Sequence, residues 1–450
     1  MSDQSCITWR DRGLALLTLF VVDSVVVGAK AAILTGLLLT SATVLHSHAT
    51  GARPSFTLRS IGVAQYPVAL WIMFALLALS SGVWSLSARA SAEAGLNLIL
   101  VIIGASVLVA LWARLSEGTA ILIGGWTAIG FVVSLAIVLI DMANGSVLVG
   151  WFLEHLDVSG HGGATWVQRS RGAIVSIALE FWNWNIAGVN LLFWPMLLLI
   201  SLVERSLLWK GLALAAVLLT VAATLLSVHA TSSIAILVGT ALFVLSRAYP
   251  RAAVGLLMAG FTIAAVAVIP IATYAHTGLR LHHASWVPPT LQARIVIWKH
   301  TAEQVLKAPI VGIGANSTKY WRLRHETVPK VKDHWQEPTV NNHAHNYFLQ
   351  VWFELGALGC LLFTAAGLST LRLIPTMQTG AQPYAIATAG AAITMFSATW
   401  NLWHLWLVAT LGIALALLVL GNTLAAPRAL DRVAFHQIWL PSGWTPKRAA

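Results

Sequence analysis

Twelve predominantly apolar runs, most of them close to 20 residues long, succeed one another along this 450-residue chain. They fall at 13–28, 29–45, 66–84, 95–113, 119–140, 182–203, 207–226, 231–248, 252–274, 346–370, 383–402 and 404–422. A helix needs about 20 such residues to cross a bilayer, and runs that are continuous rather than alternating indicate helices, not barrel strands. Only 10% of the residues are charged, against about 25% in soluble domains. So few charges cannot cover the surface of a soluble fold this size. A soluble enzyme, a disordered chain and a disulfide scaffold are therefore excluded, and the expected fold is an all-α polytopic membrane protein with about 12 transmembrane helices. The first two runs are short enough to form a single re-entrant hairpin. Cys6 lies in a polar tail and Cys360 in an apolar run, so no disulfide framework is implied. No cleavable signal peptide is evident, because the second run follows the first directly.

The net charge of +11 invites a nucleic-acid reading, but Lys and Arg collect in cytoplasmic loops of membrane proteins for topological reasons. No nucleic-acid partner is expected. With both termini cytoplasmic, the inside segments hold 14 of the 27 Lys and Arg, mostly near helix ends. Of the 13 outside, nine fall in one long loop, 275–345, and two in the segment 141–181. Long loops are weak determinants of topology. Among short outer loops only Lys30 and Arg89 run against the rule. The organisation expected is thus helices 1–9 over 1–274 with an outer segment at 141–181, an outer loop at 275–345 carrying the site, and helices 10–12 with a cytoplasmic tail over 346–450.

The 71-residue loop is too long to be a mere connection. It holds eight of the 15 histidines, four tryptophans (Trp286, Trp298, Trp321, Trp335) and nine basic residues against Glu303, Glu326, Asp333 and Glu337. Topology disfavours such cationic excess on the outer side, so it points to a ligand. Arginine gives a fixed charge and a planar fork for phosphate, tryptophan a flat face with an N–H, and histidine a base near physiological pH. Together they suit an anionic, carbohydrate-bearing or amphiphilic molecule. His343-Ala-His345-Asn346 sits where the loop re-enters the membrane. A His-x-His pair also raises a metal reading, but no third ligand lies at short spacing and the loop is poor in carboxylates, so no metal is expected. Downstream, Gly356 and Gly359 would clear one helix face for close packing. Glu354, an acid within a membrane helix, is by default functional or paired.

The stretch His343-Ala-His345-Asn346-Tyr-Phe-Leu-Gln-Val-Trp-Phe-Glu354-Leu-Gly356-x2-Gly359 resembles the signature of bacterial O-antigen ligases and the related O-antigen polymerases and O-oligosaccharyltransferases. Arg294-x3-Trp298 and Pro309-Ile-Val-Gly312-Ile-Gly314 match the start of the same domain, so the resemblance covers about 294–360 directly. It implies a fold like the class C membrane glycosyltransferases in the bacterial inner membrane, with the active site facing the periplasm. It also implies undecaprenyl-pyrophosphate-linked O-antigen as donor, a sugar hydroxyl of lipid A-core as acceptor, and membrane lipids as surroundings. Neither cofactor nor metal is implied.

On this resemblance His345 is the candidate base, with His343 a neighbour and Asn346 orienting the imidazole or a sugar. Trp298 and Glu354 are supporting residues. Arg294 is the candidate pyrophosphate ligand, and Arg169 or Arg171, ahead of Trp182-Asn183-Trp184-Asn185, would supply the second cation. Family members often carry a Ser-Arg pair at the outer mouth of the eighth span, where this chain has His229 followed by Ser232-Ser233; another basic residue would have to take that role. A polymerase, a protein O-oligosaccharyltransferase and, from another class, a lipid-linked glycan flippase remain alternatives. Against transport, the spans are almost free of charge, Asp23 being the main exception.

Overall fold

The computed structural model describes residues 7–50, 65–155, 166–170, 173–326, 339–398 and 400–426. Its helices are α1 (Trp9–Val27), α2 (Ala32–Ala49), α3 (Gln65–Ser80), α4 (Ala88–Trp112), α5 (Glu117–Ala143), α6 (Val147–His155), α7 (Asn183–Val203), α8 (Leu207–Leu226) and α9 (Ala230–Ala248). They continue as α10 (Pro250–Val266), α11 (Val268–Thr277), α12 (Pro289–Val305), α13 (Thr318–His325), α14 (Tyr347–Leu371), α15 (Gln382–Ser397) and α16 (Trp406–Leu424). Among the described residues nine helices are long and apolar enough to cross a membrane, or ten if α10 and α11, bent by 72°, form one span. The other two expected runs fall on α1, which carries Arg10, Asp11, Arg12 and Asp23, and on α15, which has 16 residues. The first two runs are separate helices, joined by Gly28 and a 3-10 turn at Ala29–Ala31.

One departure from an all-helical fold is an antiparallel hairpin in the outer segment, β1 (Val167–Ser170) and β2 (Ala173–Ile177). The β-branched run Ile174-Val175 favours it, and Glu154 at the end of α6 accepts a hydrogen bond from the Ile174 N–H at 2.8 Å.

Polar residues set the helix ends. Ser87 and Ser116 cap α4 and α5, and Thr8 with Asp11 forms a capping box at α1. Asp11 also accepts from Thr119 Oγ1 (2.8 Å) and meets His46 Nε2 (2.9 Å), tying α1, α2 and α5 together at that end. The centre of the bundle is α7, whose Ile186, Leu191, Leu192, Met196 and Leu199 are fully enclosed. Since lipid tails are as apolar as leucine, such packing depends on close approach rather than on water exclusion. Gly421 shows this: a Cβ there would lie 2.5 Å from Leu198.

Over its described residues the 275–345 loop is not a loose connection. It begins with α11, makes a 3-10 turn at Leu281–His283, runs through α12, and returns past α13 towards α14. Between α12 and α13, residues 309–314 cross α14 where that helix is broken at Gly356, which has φ +63°. The crossing is hydrogen-bonded from both sides: Ile313 N to Phe353 O (3.2 Å), Gly314 N to Glu354 O (2.8 Å) and Ala357 N to Pro309 O (2.8 Å). A Cβ on Gly356 would lie 2.3 Å from Ile310 O, and one on Gly312 (φ +64°) 2.4 Å from the Glu354 carbonyl carbon. These glycines are therefore the two halves of one clasp, and the expectation that Gly356 merely clears a helix face is corrected. Backbone bonds freed by the break are satisfied by the crossing segment, as membrane depth requires.

Candidate functional site at the outer rim

His345 lies at the residue before the N-cap of α14 and has φ +53°, a left-handed conformation uncommon for a side-chain-bearing residue. Asn346 is the N-cap, its Oδ1 accepting from Leu349 N at 3.0 Å. That bond gives Asn346 a defined task in starting the helix, different from the imidazole- or sugar-directed role expected for it. Trp298 on α12 donates Nε1–H to Ala344 O at 2.8 Å, so it props the His343–His345 turn from behind. The His343 and His345 rings lie 4.0 Å apart, and His343 is 5.9 Å from the ring of His404, in the turn between α15 and α16.

Arg294 enters from α12 and donates to Ala398 O (2.8 Å) and Thr231 Oγ1 (3.4 Å), bridging the outer ends of α15 and α9. Beside it, at the mouth of α9, stands His229. Its Nδ1 is 2.7 Å from Ser232 Oγ, its ring stacks on Trp400 at 4.8 Å, and its Nε2 is buried with no hydrogen-bond partner. The Ser232 that departs from the family's Ser-Arg pair thus holds a histidine.

Lys30, in the turn between α1 and α2, rests over the Trp184 ring at 3.8 Å. Asn185 fixes that neighbourhood by donating to Val26 O at 3.1 Å. Trp184 stacks on Trp406 (6.0 Å) and meets Trp400 edge-on (5.9 Å); the indole N–H groups of Trp184 and Trp406 are buried and unpartnered. Among the described residues neither Lys30 nor Arg294 has a carboxylate within ion-pair distance, whereas Arg89 pairs with Glu93 at 2.7 Å. Of the two short-loop cations that ran against topology, one is neutralised locally and the other stands in the site.

Electrostatics follow from this crowding. Burial, then the Arg294 charge, pushes His229 down to about 3. Burial first, then His345, His404 and Arg294, holds His343 well below the usual imidazole range. Desolvation also lowers Arg294 from its usual value. In the native protein His229 and His343 thus stay neutral where the unfolded chain, with imidazoles near 6.5, takes up protons. Their contribution to stability is present above about pH 6.5 and is lost as pH falls, by up to about 1.4 kcal/mol per pH unit for each. A melting temperature that drops steadily from pH 6.5 to 5 is expected. Because burial is the larger cause for both rings, Arg294→Met should leave most of that slope in place; a melting temperature that does not change over this window would contradict the burial of the two rings.

The other sequence candidates lie elsewhere. Glu354 is buried within α14, where its carboxylate accepts from Asn316 N (2.8 Å), Thr318 N (3.2 Å), Thr318 Oγ1, Gln350 Nε2 (3.2 Å) and Trp403 Nε1. It fastens the clasp and the α15–α16 turn. Arg169 is exposed on β1, and the contacts that anchor its hairpin run to α6. Arg171 and Trp335 lie outside the described residues. Trp286 is 76% exposed, and Trp321 packs on His325 and Phe353. Sequence reasoning missed Lys30, Trp184, Trp400 and His404 as parts of one cluster. The signals were the misplaced Lys30 and the Trp-rich ends of the seventh and sixteenth helices. Among the described residues no three His, Cys, Asp or Glu side chains converge as a metal-ligand set.

Residues 214–364 match the O-antigen ligase family (Wzy_C). A protein of Rickettsia conorii named "Putative polysaccharide ligase" is 29% identical over 143 residues, which cover 31% of this chain and 33% of that protein. A protein of the same name from Rickettsia felis is 28% identical over 143 residues, again 31% of this chain and 33% of the relative. The alignment therefore spans about a third of the length of the curated relatives it matches. The matched segment includes Arg294, Trp298, His343, His345, Asn346 and Glu354, and leaves out Lys30, Trp184 and His404.

Proposed function

From the match of residues 214–364 to the O-antigen ligase family, we propose that this chain is a glycosyltransferase of the inner membrane with its active site at the periplasmic face. It moves O-antigen from undecaprenyl pyrophosphate to a sugar hydroxyl of lipid A-core. The observation that carries this reading is the grouping at one end of the bundle of the His343–His345 turn with Arg294 and Lys30, neither of which has a carboxylate within ion-pair distance among the described residues. Holding an unpaired charge in a low-dielectric rim is unfavourable, and an anionic substrate removes that penalty.

In the reaction the His345 imidazole takes the proton of the acceptor hydroxyl as its oxygen attacks the anomeric carbon of the donor. The bond from that carbon to the phosphate oxygen breaks, and the electron pair leaves with the lipid diphosphate. The imidazolium then gives its proton to water. Arg294 stabilises the charge that develops on the leaving group. Lys30 is the second cation, in place of Arg169 or Arg171, since it borders the same ring cluster. The N-terminus of α14 adds its N–H dipoles. No metal is required by this scheme, as the two cations carry the counter-charge.

The test is transfer by the purified protein from a lipid-linked glycan to rough lipopolysaccharide, read as a gel ladder. A ladder that needs the lipopolysaccharide supports the ligase reading; elongation of the lipid-linked glycan without it makes the protein a polymerase. Arg294→Ala and Lys30→Ala should each raise the donor KM by about tenfold or more, the loss of a charge-assisted contact. Arg294→Lys should recover only part, because the planar fork is gone. An unchanged donor KM in Lys30→Ala would return the second cation to the hairpin arginines.

A further inference from the structure

Away from the histidine cluster, the outer loop presents a surface of mixed character. Leu306 (68% exposed), Ile310 (70%) and Val311 (40%) stand out of the segment that follows α12. On α13, besides His325, the exposed residues are Lys319, Tyr320, Leu323 and Arg324. At 100° per residue these four share one face about 140° wide, so basic and apolar groups are interleaved on it. Lys307 is exposed between Leu306 and Ile310.

This surface is continuous with the membrane-facing side of α14. Leu358 N donates to Ile310 O at 3.2 Å, and Leu358 and Leu361 are exposed on that helix, one of those apolar enough to span a bilayer. On its other flank Trp84 donates Nε1–H to Val311 O at 3.2 Å, next to Val83, which is 91% exposed. The clasp at Gly356 fixes the segment in this position. Large exposed side chains outside a core mark an interaction site. Here Ile310 is hydrogen-bonded to a helix apolar enough to span a bilayer, and Lys307, Lys319 and Arg324 stand among the exposed apolar groups.

We propose that residues 306–311 and the exposed face of α13 rest in the outer leaflet and bind anionic phospholipid there. The apolar side chains lie among the acyl chains near the headgroups, and the ammonium and guanidinium groups meet the phosphodiesters. The interleaving suits a monotopic contact, in which apolar area and electrostatic attraction to anionic lipid act together. The proposal is independent of the transfer reaction, because none of these residues belongs to the histidine site.

The experiment uses the full chain with Cys6→Ser and Cys360→Ala, reconstituted in phosphatidylcholine nanodiscs with or without phosphatidylglycerol. Spin labels on Ile310→Cys and Leu323→Cys should relax preferentially with oxygen, whereas a label on Asn342→Cys, in the turn of the histidine site, should relax with a water-soluble nickel chelate. Nickel-dominated relaxation at position 310 overturns the proposal. Native mass spectra then count retained phosphatidylglycerol against phosphatidylcholine. That preference should fall by about fivefold for each of Lys307→Gln, Lys319→Gln and Arg324→Gln. An unchanged preference in the triple variant, with its melting temperature intact, overturns the headgroup contact. Altered use of the lipopolysaccharide acceptor without any change in phospholipid retention also overturns it, assigning the surface to that substrate.

Discussion

His345→Asn is expected to lower transfer by roughly 10²–10⁴-fold, the usual contribution of a positioned base, with the melting temperature and donor binding kept. Asparagine is the informative replacement because of the backbone. His345 has φ +53°, where asparagine is among the few residues found readily, while alanine pays about 1–2 kcal/mol. His345→Ala therefore mixes loss of the imidazole with distortion of the turn that Asn346 and Trp298 hold. If only the alanine variant were inactive, the turn and not the base would be what transfer requires. Wild-type turnover by both would remove the base assignment. His343→Asn is the companion measurement: held neutral and further from the α14 cap, His343 should reduce transfer by much less.

How much of this was legible in the sequence depended on whether the signal was local. Nine of the twelve apolar runs, or ten with the bent pair α10 and α11, fall on described helices long and apolar enough to span a bilayer, because apolar length in such a helix needs no tertiary information. The turn His343–Asn346 and its partners Arg294 and Trp298 were readable because they lie in one stretch of matched motif. Lys30, Trp184, Trp400 and His404 were not, since they come from two inter-helix turns and the first turn of α7 and meet only when α1, α7, α15 and α16 pack. Lys30 still left a trace: a cation on the wrong side of a short loop, without a nearby acid. Arg89 left the same trace for a different reason, an ion pair with Glu93 one helical turn away. The glycines were misread for a related cause. Spacing alone shows that Gly356 and Gly359 share a helix face; it cannot show that Gly356 breaks the helix to admit residues 309–314.

Glu354 is the residue whose loss should damage the fold most. Its carboxylate is an acceptor-only group facing five donors: the N–H groups of Asn316 and Thr318, the Thr318 hydroxyl, the Gln350 amide and the Trp403 indole. Glu354→Ala leaves the Asn316, Thr318 and Trp403 donors without this acceptor, while Gln350 keeps Asn401, at roughly 1–3 kcal/mol for each donor lost, enough to rival the whole stability of many domains. The choice between anchor and proton carrier is decided by Glu354→Gln. A glutamine places an NH₂ against donors and can offer one oxygen where two are used, so an anchor predicts nearly the same drop in melting temperature as for alanine. A proton carrier predicts instead a glutamine variant that folds normally and fails in transfer. Gly356→Ala and Gly312→Ala probe the same clasp through the backbone, since each requires a positive φ and a Cβ inside 2.5 Å of the opposing chain. The damage should reach the candidate site by one route. Glu354 and Gln350 hold the turn at Asn401–Trp403, and His404 and its rings are placed by that turn. Variants of the clasp that survive purification should then lose more transfer than their loss of folded protein accounts for.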